Sequence, residues 1–494
     1  AVKGVSVEQR RKRGILAVSF GTSYEESCRR TIGALEEDFA GVFPYMPVKR
    51  AFTSAIIMRI WKERGVEIPD TMRALAEMAE EGIEEVLIQP THLLAGEEYE
   101  KLCAQAEGFR ERFRRMEIGV PLLHEEEDLE RVASFYASRF SREEGEALVL
   151  MGHGSRHENN AVYARLQDIW NRMGCKDVFL GTVEASPDLE EVIKQLRESG
   201  YRKVVLTPLM LVAGDHAHTD MAGDGPDSWK SRLEEQGFQV RCVVRGMGEY
   251  PEIRGLYIRH LQKLEEKNTG VLYGVSVGPG DPELITLKAV RLIKECPVLA
   301  VPRTKGENTL ALSIVKQAAD IRGKEIVYTD FPMTRDKEVL DKNYDRIAGL
   351  LAEYLEKGQN VAMLNIGDIS IYSTFSYVGE RVARAGFPVR VCAGVPCFCD
   401  IAAKTGKPLV SGSQVLMVIP AGKEALDPYM ELEGTKVLMK SGGKLENLRR
   451  YLEEKGLEDR AVIAGNCGLP GEHFLPASGE IPEGSSYFTT VVVK

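Results

Sequence analysis

The sequence predicts an α/β protein: a duplicated two-lobe α/β domain followed by a second two-lobe α/β domain. Three observations predict it. The 494 residues exceed the roughly 250–300 at which one hydrophobic core stops growing. A strand, small-residue turn and helix start at Gly14 to Tyr24 recur at Ala147 to Ser155. Finally, Gly82-Ile-Glu-Glu-Val-Leu-Ile-Gln-Pro90, followed by Thr-His-Leu-Leu-Ala-Gly-Glu-Glu98, matches Gly200-Tyr-Arg-Lys-Val-Val-Leu-Thr-Pro208, followed by Leu-Met-Leu-Val-Ala-Gly-Asp-His216, with Gly, Val, Pro and Ala-Gly in register.

The elements follow in chain order. The strand Gly14 to Phe20 runs into Gly21, Thr22 and Ser23, then a helix from Tyr24 with Glu25 and Glu26 favouring its N-terminal turn. Before it, Arg10, Arg11, Lys12 and Arg13 read as a flexible, solvated arm. A charged helix ends near Asn268 and an apolar strand begins at Val271, so one domain is expected over 1–268, with lobes at about 13–140 and 141–265. The other spans 269–494, with lobes at about 270–395 and 396–494. It opens with a strand, the turn Gly278-Pro-Gly-Asp-Pro282 and a helix; strands at Val361 to Asp368 and Val389 to Pro396 follow, and strands dominate beyond Ser413.

Composition limits the function classes. With 44% hydrophobic and 28% charged residues the chain is a globular protein, and its net charge of −10 lacks the basic footprint of nucleic-acid binding. The nine cysteines include no CxxC pair and read as reduced thiols. No apolar run approaches the roughly 20 residues of a membrane helix, and no charged-then-apolar leader opens the sequence. A cytoplasmic protein is expected, with no membrane partner.

Ligands of open α/β sheets bind beyond the carboxyl ends of the strands. His153, between two glycines, and His216 both occupy such ends, and the repeat pairs them with Phe20 and Glu98. A lone histidine there is most often structural; two at equivalent ends point to metal or acid–base work. Imidazoles suit cobalt, nickel, iron or zinc, and Glu184 after another strand-like run supplies the charge two imidazoles lack. Asp215 and Asp220 lie near His216. His157 and His218 are reserves, His260 reads as solvated on a charged helix, and His92, His124 and His473 have no comparable support. In the second half, Gly278-Pro-Gly is not GxGxxG and lacks the P-loop ending, which disfavours ATP.

Ser19-Phe-Gly-Thr-Ser-Tyr24, Arg50-Ala-Phe-Thr-Ser54, Met151-Gly-His-Gly154 and Leu209-Met-Leu-Val-Ala-Gly-Asp-His216 together resemble the anaerobic sirohydrochlorin cobaltochelatases over residues 13 to 265. The resemblance implies that sirohydrochlorin enters a cleft between two similar lobes and receives Co2+. It implies His153, Glu184 and His216 as metal ligands, His153, His216 and Glu98 as catalytic groups, and Phe20, Gly21, Thr22, Ser23, Arg50, Thr53 and Ser54 beside the substrate. The turn Gly21, Thr22 and Ser23 at a helix N-terminus suits the substrate's carboxylates, and a merely tight turn is an equal reading.

Asn365-Ile-Gly-Asp-Ile-Ser-Ile-Tyr-Ser-Thr374, Ala393-Gly-Val-Pro396 and Val437-Leu-Met-Lys440, with the glycine turn, resemble the S-adenosylmethionine-dependent tetrapyrrole methyltransferases over 270 to 494. Tyr372-Ser-Thr-Phe-Ser376 is most similar to the cobalt-factor II or precorrin-2 C20-methyltransferases. This implies Gly367, Asp368, Ile371, Thr374, Pro396, Cys397, Met439, Gly465 and Asn466 around S-adenosylmethionine, and Gly278 and Asp281 facing the tetrapyrrole. For Cys397 and Met439 a core position is an equal reading. Ile369 and Ala393 depart from the family's prolines.

The whole therefore resembles a bifunctional enzyme of anaerobic cobalamin synthesis. It would make cobalt-sirohydrochlorin and methylate it at C20, and it is expected to be a homo-oligomer, with a dimer through the methyltransferase domain as one form. The alternatives are a ferro- or nickel-chelatase fused to a methyltransferase, and a metal or tetrapyrrole carrier without turnover. Fusion raises effective concentration for the intermediate.

Overall fold

In the computed structural model, residues 11–140, 142–303, 309–332, 334, 336–421, 426–441, 445–479 and 488–494 are described. Two compact units appear, one over Arg11–Lys267 and the other from Asn268 to Lys494.

The first unit carries two four-stranded parallel sheets with one topology. Strands β1 (Arg13–Ser19), β2 (Val48–Phe52), β3 (Glu85–Pro90) and β4 (Arg115–Ile118) lie in the order β2-β1-β3-β4. Strands β5 (Glu146–Gly152), β6 (Val178–Thr182), β7 (Lys203–Leu209) and β8 (Gln239–Cys242) lie in the order β6-β5-β7-β8. Both central strands β1 and β5 are buried along their whole length, as parallel strands covered on both faces must be. Identical order places β1 and β5, and likewise β3 and β7, at equivalent points, so the ends that carry Phe20 and His153 match.

The helix Pro251–Glu266 follows the second lobe in sequence but packs on the first. Tyr257 donates from its hydroxyl to the Thr91 carbonyl at 2.8 Å, and Arg115 caps the helix by donating to the Leu264 and Glu265 carbonyls at 3.0 Å. His260, expected in solvent, is buried on this helix, its Nε2 2.5 Å from Asp128 Oδ2. Helix charge had suggested the surface; the buried carboxylate of Asp128 reverses it, because a paired imidazole is stable inside. The basic arm is also corrected. Arg13 is buried in β1 with Glu265 3.1 Å and Glu85 3.5 Å away, and Arg11 meets Glu85 at 3.5 Å. Carboxylates on β3 and on the helix Pro251–Glu266 attract what the sequence alone shows as a run of like charge; Arg10 lies outside the described residues.

The second unit holds a parallel sheet, β11-β10-β12-β9-β13, built from β9 (Leu272–Ser276), β10 (Val298–Arg303), β11 (Glu325–Asp330), β12 (Val361–Asn365) and β13 (Val389–Cys392). A mixed sheet, β14-β15-β18-β16-β17, follows from β14 (Leu416–Pro420), β15 (Thr435–Met439), β16 (Ala461–Gly465), β17 (His473–Pro476) and β18 (Thr489–Val493). Among the described residues β14 and β15 pair in parallel there, and β18 runs against both β15 and β16. Among the described residues no helix is long and apolar enough to cross a membrane, and all nine cysteines are free.

One local device fixes the loop after β6. Asp188 accepts from the Glu191 N–H at 3.0 Å, while Glu191 accepts from the Asp188 N–H at 2.7 Å, a capping box starting the helix Leu189–Glu198. Asp188→Ala is expected to destabilise the first unit by about 0.5–2 kcal/mol, measured as a lower urea midpoint for its unfolding.

Candidate metal site and methyl-donor site

Three neighbouring strands of the second lobe end on the same cluster. β5 delivers His153, the turn after β6 delivers Glu184, and His216 opens a π-helical turn, His216–Met221, soon after β7. The imidazole rings stand 4.7 Å apart at 86°, His153 Nδ1 is 3.9 Å from Glu184 Oε2, and one ligand atom from each residue lies within 4.8 Å of the others. Two nitrogens and a carboxylate at this spacing suit a divalent first-row metal. The side chains are 48%, 55% and 37% exposed, so the cluster opens to incoming ligand.

The backbone sets this spacing. Glu184 N–H donates to the His153 carbonyl at 3.0 Å and Val183 N–H to the Gly152 carbonyl at 3.0 Å. The two loops meet where Gly154 sits at φ +83°, and a Cβ there would come within 2.8 Å of Thr182 Oγ1 and 2.9 Å of Ala185 N. Only glycine permits both the conformation and the approach. His153 Nδ1 lies 2.9 Å from the Gly154 carbonyl, and His216 Nδ1 lies 2.5 Å from Asp220 Oδ2.

Strand register extends the duplication to all three positions. Ser19 pairs with Phe52 as Gly152 pairs with Thr182, so Phe20 matches His153 and Ser54 matches Glu184, with Glu98 opposite His216. The triad therefore belongs wholly to the second lobe. The first lobe offers at the same points an aromatic ring 50% exposed, a hydroxyl and a carboxylate. Glu98 does not join the triad; its Oε2 is buried without a hydrogen-bond partner, an uncommon state for a carboxylate oxygen.

The two reserve histidines do other work. His218 stacks on Tyr24 at 5.0 Å and 9°, and Tyr24 donates to Asp215 Oδ1 at 3.2 Å. His157 Nε2 meets Glu100 Oε1 at 3.2 Å. Each contact joins the lobes, a role that strand-end reasoning missed because it requires both lobes at once. Both ring nitrogens of His92 are buried and unpartnered, and this burial pushes its pKa down to about 4.

Several expected substrate contacts are committed internally. Arg50 Nε and Nη2 bind the Glu36 carboxylate at 2.9 and 2.6 Å, so Arg50 joins β2 to its neighbouring helix instead of standing free for a substrate carboxylate; the local sequence gives no sign of a partner 14 residues earlier. Ser54 caps the helix Ala55–Glu63, accepting from Ile57 N–H at 3.4 Å. Thr22 Oγ1 accepts from Tyr24 N–H at 3.2 Å, its carbonyl accepts from Trp61 Nε1 at 2.7 Å, and the Ser23 carbonyl accepts from Arg64. Gly21 lies against the Phe52 ring. Thr53 Oγ1 is buried without a partner.

In the second unit, three loops converge beside β9, β12 and β13. Asp368 accepts from Gly394 N–H at 2.7 Å and Ser370 N–H at 2.8 Å, and from the Ser370 hydroxyl. Burial works to raise its pKa, but these donors hold it below the usual carboxyl range. Asp368 thus pins two loops. Gly394 has no room for a side chain, since a Cβ would lie 2.4 Å from Ser276 Cβ and 2.8 Å from the Gly367 carbonyl. Gly278 is buried, and its carbonyl accepts from Gly367 N–H at 2.7 Å; Asp281 caps a short 3-10 turn through Glu283 N–H at 2.9 Å. These two residues brace the loops that carry them.

Ile371, Cys397 and Met439 pack against one apolar cluster with Phe398, Val437 and Val492. They come together from three separate segments, and each remains partly accessible. Cys397 Sγ is 3.4 Å from Thr490 Oγ1. Thr374 and Pro396 precede the helices Phe375–Arg384 and Cys397–Thr405. Tyr372 and Asn466 adopt positive φ of 52° and 51°, backbone strain of the kind concentrated at ligand sites. Gly465 ends β16 against the His473 ring. A second cluster of possible ligand atoms, Asp400, Cys467 and Glu472, already holds the Lys404 ammonium, 3.1 Å from Asp400 and 2.5 Å from Glu472; that charge leaves little attraction for a metal ion.

A duplicated α/β unit with a strand-end triad of side chains that could hold a metal ion, joined to an α/β unit with glycine-bearing loops over an apolar seat, fits a metal-handling protein fused to a small-molecule-binding one. The comparisons make this particular: the chain belongs to the cobalt chelatase (CbiK) family over residues 13–266 and to the tetrapyrrole (corrin/porphyrin) methylases over 271–481. It is 39% identical to the sirohydrochlorin cobaltochelatase of Salmonella typhimurium over 51% of this chain and 96% of that protein. It is 31% identical to the cobalt-precorrin-2 C(20)-methyltransferase of the same organism, over 45% of this chain and 96% of that protein. A probable cobalt-precorrin-2 C(20)-methyltransferase of Methanocaldococcus jannaschii is 37% identical over 36% of this chain and 75% of its own length.

Proposed function

We propose that the chain is a bifunctional enzyme of cobalamin biosynthesis. Its first unit inserts Co2+ into sirohydrochlorin, and its second methylates C20 of the product with S-adenosylmethionine. The observation that carries the first activity is the triad His153, Glu184 and His216 in a chain of the cobalt chelatase family.

Metal insertion exchanges two pyrrole N–H protons for one Co2+. His153, Glu184 and His216 hold the incoming ion; as it passes to the macrocycle nitrogens, the freed imidazoles accept the protons, since a ring nitrogen cannot ligate and take a proton at once. Phe20 offers an exposed ring to the macrocycle face, and Glu98 offers a carboxylate from the opposite lobe. Gly21, Thr22 and Ser23 supply a helix-start turn beside the cleft, with Ser54 and Arg50 supporting it. In the second unit Gly367, Asp368, Gly465 and Asn466 shape the loops around the methyl donor, and Ile371, Cys397 and Met439 supply apolar contact. Thr374 and Pro396 set the adjoining helix starts, while Gly278 and Asp281 brace the tetrapyrrole side. S-adenosylmethionine supplies an electrophilic methyl group, so alignment of the macrocycle carbon carries much of this step.

The nine free cysteines and the absence of a membrane-crossing helix among the described residues support a cytoplasmic protein. A homo-oligomer is part of the same reading. Purified chain mixed with excess sirohydrochlorin and Co2+ is expected to metallate many equivalents, seen as a continuing spectral change. A change that stops at one equivalent per chain identifies a carrier instead. Faster insertion of Ni2+ or Fe2+ than of Co2+ under identical conditions would overturn the choice of metal.

A further inference from the structure

We propose that Asp220 is a positioning residue of the metal site, holding His216 in the one tautomer that leaves Nε2 bare for the ion. This inference deepens the chelatase reading and rests on it for the identity of the ion. The observation is the 2.5 Å contact between His216 Nδ1 and Asp220 Oδ2. An ionised carboxylate only accepts hydrogen bonds, so a contact this short places the hydrogen on Nδ1. A neutral ring carries one such hydrogen. Nε2 is then left with its lone pair, the form a metal ligand needs.

The assignment belongs to Asp220 and not to the acidic residue beside His216 in sequence. Asp215 Oδ1 accepts from the Tyr24 hydroxyl and from the Thr219 hydroxyl, both at 3.2 Å, and is therefore engaged at the join between lobes. Asp220 stands four residues on from His216 in the π-helical turn His216–Met221, an element that recurs at functional sites. The other histidine is held differently, with His153 Nδ1 2.9 Å from the neutral Gly154 carbonyl. A backbone carbonyl cannot be lost by side-chain substitution, whereas Asp220 can, so the two ligands differ in what a single replacement does to them. The Asp220 side chain is 42% exposed and outside the hydrophobic clusters, so replacing it tests the site with little effect on packing.

The test uses the full chain labelled with 15N in histidine and free of metal and tetrapyrrole. Long-range 1H–15N spectra at alkaline pH report each ring's tautomer, and the His216 signals are those missing from His216→Gln. The intact chain is expected to show His216 with its hydrogen on Nδ1, and Asp220→Ala to move it to a mixture. Co2+ added alone, followed by its visible absorption, is expected to bind Asp220→Ala about 10–100-fold more weakly. Asp220→Asn, whose amide oxygen still accepts from Nδ1–H, should retain the tautomer and recover part of the affinity. Hydrogen on Nε2 in the intact chain, or unchanged Co2+ affinity in Asp220→Ala, would overturn the proposal. Because these readouts need no sirohydrochlorin, a chain that passes them yet never metallates the tetrapyrrole would sink the chelatase reading and leave the role of Asp220 standing.

Discussion

His216→Ala is expected to slow cobalt insertion by about 10²–10⁴-fold, the range for removing a positioned acid–base group, while methyl transfer onto preformed cobalt-sirohydrochlorin by the same protein is unchanged. In the proposed mechanism the substitution removes one of three metal ligands and one proton acceptor in a single step. Little packing is lost, because the side chain is 37% exposed and its polar and ring contacts are with Asp220 and the His153 ring. Glu184→Ala should act in the same direction through lost charge, since two neutral imidazoles hold a dication less well without it. The check is the initial rate of metallated-tetrapyrrole absorbance, with methyl transfer on the same preparation showing that the chain is folded. Normal insertion by His216→Ala would remove this residue from the mechanism.

Asp368→Ala is expected to weaken S-adenosylmethionine binding by about 30–150-fold, from a loss of about 2–3 kcal/mol when its charge-assisted bonds are broken. The Gly394 N–H, 2.7 Å from the carboxylate, is left without its acceptor, and the loops bearing Gly367 and Pro396 lose their tie. Calorimetric titration of the donor measures this, and cobalt insertion should not change. The same carboxylate predicts an acid limit. Its folded pKa lies below the ordinary value, despite the opposing effect of burial, because Gly394 and Ser370 donate to the charged form. Its contribution is therefore complete above the unfolded carboxyl pKa of about 3.9 and is lost as pH falls through the lower folded value. Donor binding in Asp368→Asn should show less of this acid dependence than in the intact chain.

Much of the first unit was legible because its two lobes repeat. The Gly, Val, Pro and Ala-Gly positions fix β3 against β7, and the strand ends then point to His153, Glu184 and His216, which the structure brings within 4.8 Å. What was not legible depended on pairing across long sequence separations. His260 meets Asp128 from 132 residues away, and Arg13 meets Glu265 from 252 away. Both reverse a surface assignment, because charge in a local window does not show whether a partner waits inside the fold. Arg50 carries a partner of the same hidden kind: its residue type suits a substrate carboxylate, and the fold pairs it with Glu36. In the second unit, Ile371, Cys397 and Met439 were separate motifs whose common seat emerges only when three segments pack together. Asp368 was marked by its motif, but its work as a tie between two loops rests on the Gly394 N–H, which no side-chain pattern encodes.

The central claim is that one chain carries out metal insertion and then methylation on the same tetrapyrrole. Its most direct test supplies the full-length protein with sirohydrochlorin, Co2+ and methyl-labelled S-adenosylmethionine, and determines the product by mass with the methyl position found by NMR. The predicted product contains cobalt and one labelled methyl at C20, and omission of Co2+ leaves metal-free tetrapyrrole without that product. A cobalt complex lacking the label, or label on the macrocycle at a position other than C20, would contradict the account.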